Sequence, residues 1–316
     1  MKKINLSDIN ESLLGFDLFI CDSSFESRCL EVANKINAEQ FKKIIICHFE
    51  DNYVVANNNL EKLKNIFKNS SILILSKNDP LLNYDEIYDE IIECDLKNVL
   101  FDISTFTRET FLIILQLFRQ TPFQDKNLTL CYNPSDKYSS VSGEKLSDLW
   151  LSKGVQNIRS VLGYSGDFSP IKDLMLIVLI GFEEERAQII IDNFDPDLLY
   201  IGKAPRADSG NGDLGEINQY NFDKIIEKNP YVCKFEFSCI EIVPTVKTLC
   251  EIIEKNRDKY NIVISPLNNK LSTLAVASTV FKYPEVQICY ASTNLYNIEA
   301  YSSPSDFIYL IDAKEL

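Results

Sequence analysis

Residues 18–28 read LFICDSSFESR, and residues 175–186 read MLIVLIGFEEER. Each stretch begins with an apolar run that is typical of a buried strand, continues through a Phe-Glu pair, and reaches an arginine that precedes a helical pattern. The two phenylalanines, Phe25 and Phe182, lie 157 positions apart. This shared order predicts that one strand-to-helix unit occurs twice in the chain.

Two further pairs of segments follow nearly the same spacing. VLFDIS at 99–104 and IVIS at 262–265 each precede an apolar helical pattern, and their last serines are 161 positions apart. LTLCYNPSDKY at 128–138 and VQICYASTNLY at 286–296 have Cys-Tyr pairs that are 158 positions apart. Since three landmarks recur in one order at an almost constant distance, the sequence predicts an internal duplication.

Short apolar runs alternate with helical patterns in both halves. Many runs are continuous rather than alternating, which is typical of strands buried on both faces of a parallel sheet. The predicted fold is therefore α/β, with two tandem Rossmann-like domains related by duplication: residues 1–165 and 166–316, joined within SVLGYSGDFSP at 160–170. The predicted strands are 18–21, 43–47, 72–76, 98–103, 127–132, 174–180, 198–202, 235–241, 261–264 and 286–290. The predicted helices are 26–36, 58–68, 83–93, 107–119, 183–193, 216–228, 245–257 and 269–281.

Composition and charge exclude several classes of function. The chain has 316 residues, of which 46% are hydrophobic, and its formal net charge is −14. Such a surface repels nucleic acids and anionic membranes, although a local basic pocket for a small anion stays compatible with it. The longest apolar run, 174–180, is far shorter than the roughly 20 residues of a membrane span, and the first residues do not resemble a signal peptide.

Cysteine and histidine usage narrows the chemistry further. Nine cysteines without any C-x-x-C pair indicate reduced core residues of a cytoplasmic protein. His48 is the only histidine, and strand alternation directs it away from its neighbour Cys47, so we interpret it as structural. We predict no metal and no cofactor.

The candidate site follows from the parallel sheets. Ligands of such sheets bind beyond the carboxyl ends of the strands, and hydroxyls, backbone amides and an arginine at a helix start suit a phosphate. The structural alternatives are helix capping by Ser104 and Thr105 and coverage of the core edge by the tyrosines. For the Glu26–Arg28 and Glu183–Arg186 pairs, the alternatives are paired charges on a helix surface or a brace between the two copies. The candidate ligand-binding residues are Ser23, Ser24, Glu26, Arg28, Asp102, Ser104, Thr105, Arg108, Tyr132, Glu183, Arg186, Ser265, Asn268, Lys270 and Tyr290.

One string resembles a nucleotide loop. Residues 210–215 read GNGDLG and satisfy G-x-G-x-x-G, but they follow the second strand of their half, and Asp213 would place a negative charge beside a phosphate. We therefore interpret the string as a flexible connection. Lys203 and Arg206 nearby are better candidates for an anion contact, with surface placement as the alternative.

The run DISTFTR at 102–108 resembles the fourth-strand motif of the CRISPR-associated Rossmann-fold (CARF) family. That motif reads Asp or Asn, any residue, Ser or Thr, three residues, then Arg or Lys, and Asp102, Ser104 and Arg108 match it. In the second half, Ser265 is followed by Asn269 at the arginine spacing and by Lys270 one step later, so that copy departs from the motif. CARF proteins pair two Rossmann-like domains and bind cyclic oligoadenylates across the pair, usually to activate an effector.

The resemblance implies a nucleotide sensor in an antiviral system, with both halves of the pocket supplied by one chain and with a separate effector protein as partner. An enzyme that cleaves a phosphodiester or glycosidic bond is the second hypothesis, with Glu26 or Glu183 as general base and Arg108 stabilising developing charge. A non-catalytic scaffold subunit is the third.

Overall fold

The computed structural model describes residues 1–50, 53–92, 95–138, 150–210, 212–298 and 302–316. It divides into two compact units. The first consists of Met1–Asp136 and Ser302–Glu315, and the second of Lys137–Tyr301 with the terminal Leu316.

The elements alternate between strand and helix along most of the chain. Up to residue 138 they are β1 (Lys2–Asn5), α1 (Ile9–Ser12), β2 (Leu18–Ser23), β3 (Lys43–Phe49), α2 (Val54–Ile66), β4 (Ser71–Leu75), α3 (Pro80–Ile92), β5 (Asn98–Asp102), α4 (Arg108–Leu117), β6 (Asn127–Tyr132) and β7 (Ser135–Tyr138). From residue 150 they are β8 (Ser152–Lys153), β9 (Asn157–Ser160), β10 (Asp173–Leu179), α5 (Glu184–Phe194), β11 (Leu198–Lys203), α6 (Gly212–Lys228), β12 (Cys233–Glu236), α7 (Ile242–Asn256), β13 (Tyr260–Pro266), α8 (Lys270–Lys282), β14 (Gln287–Ser292), β15 (Leu295–Tyr296), β16 (Ser302–Pro304) and β17 (Phe307–Asp312).

The first unit is built on a seven-stranded sheet in the order β1-β17-β6-β5-β2-β3-β4. The strands from β6 to β4 are parallel, whereas β17 is antiparallel to both β6 and β1. Every residue of β2 is buried, because helices or turns cover both faces of this central strand. Phe19 and Cys21 on one face pack against Leu63 and Phe67 around α2.

The second unit is built on a six-stranded sheet in the order β12-β11-β10-β13-β14-β9. The strands from β12 to β14 are parallel, and β9 pairs with β14 in the antiparallel sense. Strand by strand, this order is the same as β4-β3-β2-β5-β6-β17 in the first sheet. The short strands form two separate ribbons, β7 with β16 and β8 with β15.

The predicted α/β class with mainly parallel sheets is confirmed. The division of the chain differs from the predicted boundary at 165/166. Because β9 pairs with β14, residues 160–170 run within the second unit rather than between units. Likewise, the pairing of β17 with β6 places residues 302–315 in the first unit.

Two predicted elements differ in form from the structure. The helix predicted at 26–36 is a 3-10 turn at Ser27–Leu30 followed by further turns, since Arg28 is held by partners distant in the sequence. The strand predicted at 235–241 begins and ends earlier, at Cys233–Glu236. It ends there because the Ser238 amide donates a hydrogen bond to Thr245 Oγ1 instead of continuing the ladder. Within the described ranges, no helix combines the length and apolar character needed to cross a membrane.

Candidate functional site

The carboxyl ends of β2, β3, β5 and β6 lie at one edge of the first sheet, where polar side chains gather. Ser23 and His48 are register partners at this edge, and Ser23 Oγ lies 2.6 Å from His48 Nδ1. Asn59 on α2 donates from Nδ2 to the carbonyl oxygen of Ser24 at 2.8 Å, which fixes the end of β2 against the helix. His48 is buried, and its structural interpretation is compatible with this bond.

The DISTFTR segment forms a closely bonded turn between β5 and α4. Asp102 Oδ1 accepts hydrogen bonds from the Ser104 amide at 3.0 Å and from Ser104 Oγ at 2.5 Å. Ser104 Oγ in turn accepts from the Asn133 amide at 2.8 Å, and Thr105 Oγ1 donates to Asp22 Oδ1 at 2.5 Å. These bonds fix the conformation of the turn. Ser104 and Thr105 therefore do not cap α4, which was proposed as their structural alternative.

Glu26 and Arg28 form a buried ion pair next to the same edge. Arg28 Nη2 lies 2.5 Å from Glu26 Oε2, and the two residues are only 4% and 9% exposed, in the order Arg28 and Glu26. Ser302 Oγ donates to Glu26 Oε2 at 2.5 Å and accepts from Arg28 Nε at 3.0 Å, while Arg28 Nη1 donates to the Asn133 carbonyl at 2.9 Å. The pair is therefore a buried network, not the surface pair proposed as its alternative.

A matching network occurs in the second unit. Arg186 Nη2 lies 2.8 Å from Glu183 Oε2, and Ser152 Oγ bonds both the other oxygen of Glu183 and Arg186 Nη2. Arg186 is 7% exposed. Each unit thus contains a carboxylate, a guanidinium and a serine hydroxyl in mutual contact, and the serine lies on a short ribbon strand, β16 or β8. Because Glu26 and Glu183 each form an ion pair with an arginine, this geometry gives no support to either as a general base.

Arg108 and Lys270 occupy equivalent positions in the two units. Arg108 is the first residue of α4, after Thr107, whose side chain accepts from the amide of Thr110. Lys270 is the first residue of α8, after Asn269, whose side chain accepts from the amide of Ser272. The helix caps therefore align Arg108 with Lys270. The spacing from Ser104 to Arg108 is nevertheless one residue shorter than the spacing from Ser265 to Lys270.

The carboxyl edge of the second sheet carries Ser265 and Asn268, which were both predicted as ligand-binding residues. In the second sheet, Val178 of β10 pairs with Ser265 of β13. In the first sheet, the pairing of β2 with β5 ends at Ile20 and Phe101, and one further step would pair Cys21 with Asp102. These two pairs occupy the same position in their sheets. Ser265 therefore corresponds to Asp102 rather than to Ser104. Asn268 Nδ2 donates to the Ile180 carbonyl at 2.6 Å, and its Oδ1 accepts from the Asn269 amide at 2.8 Å.

The two tyrosines differ in burial. Tyr132 is 2% exposed and stacks on Tyr309, with ring centroids 6.5 Å apart, so it covers the core as the alternative proposed. Tyr290 is half-buried and is the register partner of Arg159 on β9.

Residues 212–215 of the G-x-G-x-x-G string form the start of α6, whereas Asn211 lies outside the described residues. Gly210 has a φ of +91°, a left-handed conformation that favours glycine. A Cβ on Gly215 would lie 2.8 Å from Ser209 Oγ, so this glycine allows close packing of the preceding turn. Lys203 Nζ donates to Gln219 at 2.8 Å and Arg206 pairs with Glu216 at 3.3 Å, contacts of the surface role given as their alternative.

The eight described cysteines are all free thiols. Burial raises the pKa of Cys21, Cys47 and Cys131 well above the ordinary value and that of Cys289 to about 12. Such thiols are poor nucleophiles and poor metal ligands. In the part of the chain that the structure describes, no three or more His, Cys, Asp or Glu side chains are grouped to hold a metal ion.

Comparison with known proteins adds no assignment: no protein-family model matches the chain, and no curated protein matches it significantly. The site rests on its geometry alone. Sequence reasoning found Glu26, Arg28, Glu183 and Arg186 but missed Ser152, Ser302 and Asn133. No local pattern marks these three, because Ser302 meets Arg28 across 274 positions and Asn133 meets it across 105.

Proposed function

We propose that the chain consists of two Rossmann-like domains related by internal duplication and that it binds a nucleotide at the carboxyl edges of its sheets. The ligand class we favour is a cyclic oligonucleotide signal, as the CARF resemblance implies. In that setting the chain is a sensor of an antiviral system and passes the signal to a separate effector protein.

The observation that carries the proposal is the basic residue at the first position of both α4 and α8. The amino end of a helix carries partial positive charge, so a cation there is unfavourable by about 0.3 to 1 kcal/mol. Arg108 and Lys270 both have this position. A bound anion at this position would interact favourably with the helix amides and with the side-chain cation together.

The surrounding hydrogen bonds support binding without a large rearrangement. The Asp102–Ser104 and Thr105–Asp22 bonds hold the turn before α4, so the first amides of the helix and Arg108 start from a fixed backbone. In the second unit, Asn268 and Asn269 hold the corresponding turn before α8. A site whose backbone is already ordered loses less entropy when its ligand binds.

The test is calorimetric titration with cyclic tri-, tetra- and hexa-adenylate and with ATP. A charged hydrogen bond contributes about 1.5 to 3 kcal/mol, so Arg108→Ala should weaken the binding of the preferred nucleotide roughly 10- to 150-fold. Arg119→Ala is the matched control, since it removes the same charge from an exposed residue just beyond the other end of α4.

Lys270→Ala and Lys282→Ala form the equivalent pair for α8, whose first and last residues they replace. Loss of affinity in only one of the two series would show which unit binds. Equal affinity of wild type, Arg108→Ala and Lys270→Ala would show that neither cation contacts the nucleotide. Absence of binding to all four nucleotides would reject the proposed ligand class.

A further inference from the structure

The edge strand β4 has an apolar outer border. Its sequence is SILIL, without a charged residue, and Ile74 is 44% exposed. On its outer side, β4 has no partner strand among the described residues, so part of its backbone N–H and C=O groups face outward. Such an edge is a template for pairing with another strand.

Further apolar side chains are exposed around this strand. Val54 and Val55 begin α2 and are 68% and 40% exposed, while Leu81 and Leu82 near the start of α3 are 55% and 43% exposed. In a parallel α/β sheet, these helix starts lie at the carboxyl edge of the strands, where Ile74 also lies near the end of β4. The exposed apolar groups are therefore concentrated around one border of the first unit, and such a patch marks an interaction surface.

The second unit shows how the same position is protected when no pairing takes place. Strand β12 occupies the corresponding end of its sheet, and its residues Lys234 and Glu236 are both exposed. Charged side chains on an edge strand oppose the approach of another strand, because pairing would remove them from water. The contrast between β12 and β4 singles out β4 as the edge that accepts a partner.

We infer that β4 pairs in the antiparallel sense with β4 of a second copy of this chain, so that the two first-unit sheets become continuous. A two-fold axis at Leu73 would place Ile74 opposite Ile72 of the other copy, on the same face of the joined sheet. Ile72 is half-buried and Ile74 is exposed, so the pairing would cover the apolar group that the single chain leaves in water. Cross-strand pairs of β-branched residues stabilise antiparallel ladders.

Charge at the strand ends supports the same arrangement. Lys68 precedes β4, Asp79 follows it, and both are exposed. Antiparallel pairing brings the Lys68 end of each strand beside the end of the other that carries Asp79 together with the half-buried Lys77, so each Lys68 gains a carboxylate neighbour by symmetry. A parallel arrangement would instead place like charges side by side. A second copy therefore fits this edge better than a strand of arbitrary sequence.

The test measures mass by size-exclusion chromatography with light scattering, over about 1 to 100 μM protein. The wild-type mass should rise with concentration from 36.2 kDa toward twice that value. Ile74→Lys should raise the dissociation constant of the dimer at least about 100-fold, since the new charge would be buried by pairing. Because Ile74 is 44% exposed, the variant should keep the wild-type circular dichroism spectrum.

Ile171→Lys is the matched control, because Ile171 is 91% exposed and lies in the other unit, and it should dimerise like wild type. A wild-type mass of 36.2 kDa at every concentration, or dimerisation of Ile74→Lys equal to wild type, would overturn the proposal. This outcome is independent of nucleotide binding.

Discussion

The buried Glu26–Arg28 pair shows how single residues depend on one another in the first unit. Removing two charges from water is costly, and the pair is stable only because each charge neutralises the other and Ser302 and Asn133 complete the hydrogen bonds. Arg28→Met should lower the free energy of unfolding by about 3 to 5 kcal/mol in a urea titration, since Glu26 would remain buried without its cation.

Two further variants separate the charge effect from packing. Replacing both partners, as Glu26→Leu with Arg28→Met, should restore most of the lost stability, because no isolated charge is left behind. Lys64→Ala should change stability by less than about 1 kcal/mol, because Lys64 and its partner Glu61 are exposed. A double variant as unstable as Arg28→Met would show that shape rather than charge dominates at this position.

The residues of the candidate site could be predicted only where they lie close in sequence. Glu26 and Glu183 could be predicted because each follows a phenylalanine, Phe25 or Phe182, in an order of residues that is repeated along the sequence. Ser302 and Ser152 could not be predicted, since serines are frequent and their contacts depend on how distant strands meet. His48 was correctly expected near the end of a strand, but its bond to Ser23 required the register between β2 and β3.

Elements were more predictable than contacts, because hydrophobic periodicity is a local property. The strands β3 and β6 and the helices α3 and α8 lie within a few residues of their predicted positions. The helix predicted at 26–36 was wrong because its apolar pattern is equally satisfied by turns that bury Cys29, Val32 and Ile36. Arg108 and Lys270 could be aligned only through the helix caps Thr107 and Asn269. The positions of these caps follow from where the helices start and not from where the preceding strands end.

At the amino ends of three strands, Asp17 ties β2, β3 and β5 together. Its carboxylate pairs with Lys42 at 2.7 Å and accepts hydrogen bonds from the amides of Lys97 and Asn98 at 3.1 and 3.0 Å. The hydrogen bond from Lys42, followed by that from Asn98, lowers the pKa of Asp17 from 3.8 to about 2. The folded state therefore binds this proton less readily than the unfolded chain does.

The sign of the resulting pH dependence follows directly. Asp17 stabilises the fold above pH 3.8, and the contribution is lost as the pH falls toward 2. Asp17→Asn should therefore reduce the free energy of unfolding near pH 6 by about 1 to 2 kcal/mol, a modest amount because Lys42 is exposed, and should match wild type near pH 2. Asp125→Asn, an exposed control, should track wild type throughout, and a constant deficit in Asp17→Asn at every pH would contradict this role.

On the scale of the whole molecule, the sequence predicted two α/β halves, and the predicted boundary at 165/166 differs from the division into two compact units. The parallel strands could be counted from apolar runs, whereas the sheet membership of β9 and β17 depends on which distant strand they pair with. Composition contains no such information. The shared strand order of the two sheets agrees with an internal duplication, which itself stays a prediction.

Thiol reactivity tests whether the whole chain is as well packed as the burial of its cysteines implies. Cys21, Cys29, Cys47, Cys131, Cys239 and Cys289 are buried, and loss of hydration raises the pKa of each thiol. Cys233 and Cys250 are partly exposed, and Cys94 lies outside the described residues. Since reagents attack the exposed thiolate, 5,5′-dithiobis(2-nitrobenzoate) should modify at most these three thiols rapidly in native protein and all nine in urea. Rapid native modification of Cys21 or Cys289, mapped by peptide mass spectrometry, would contradict the packing of β2 or β14.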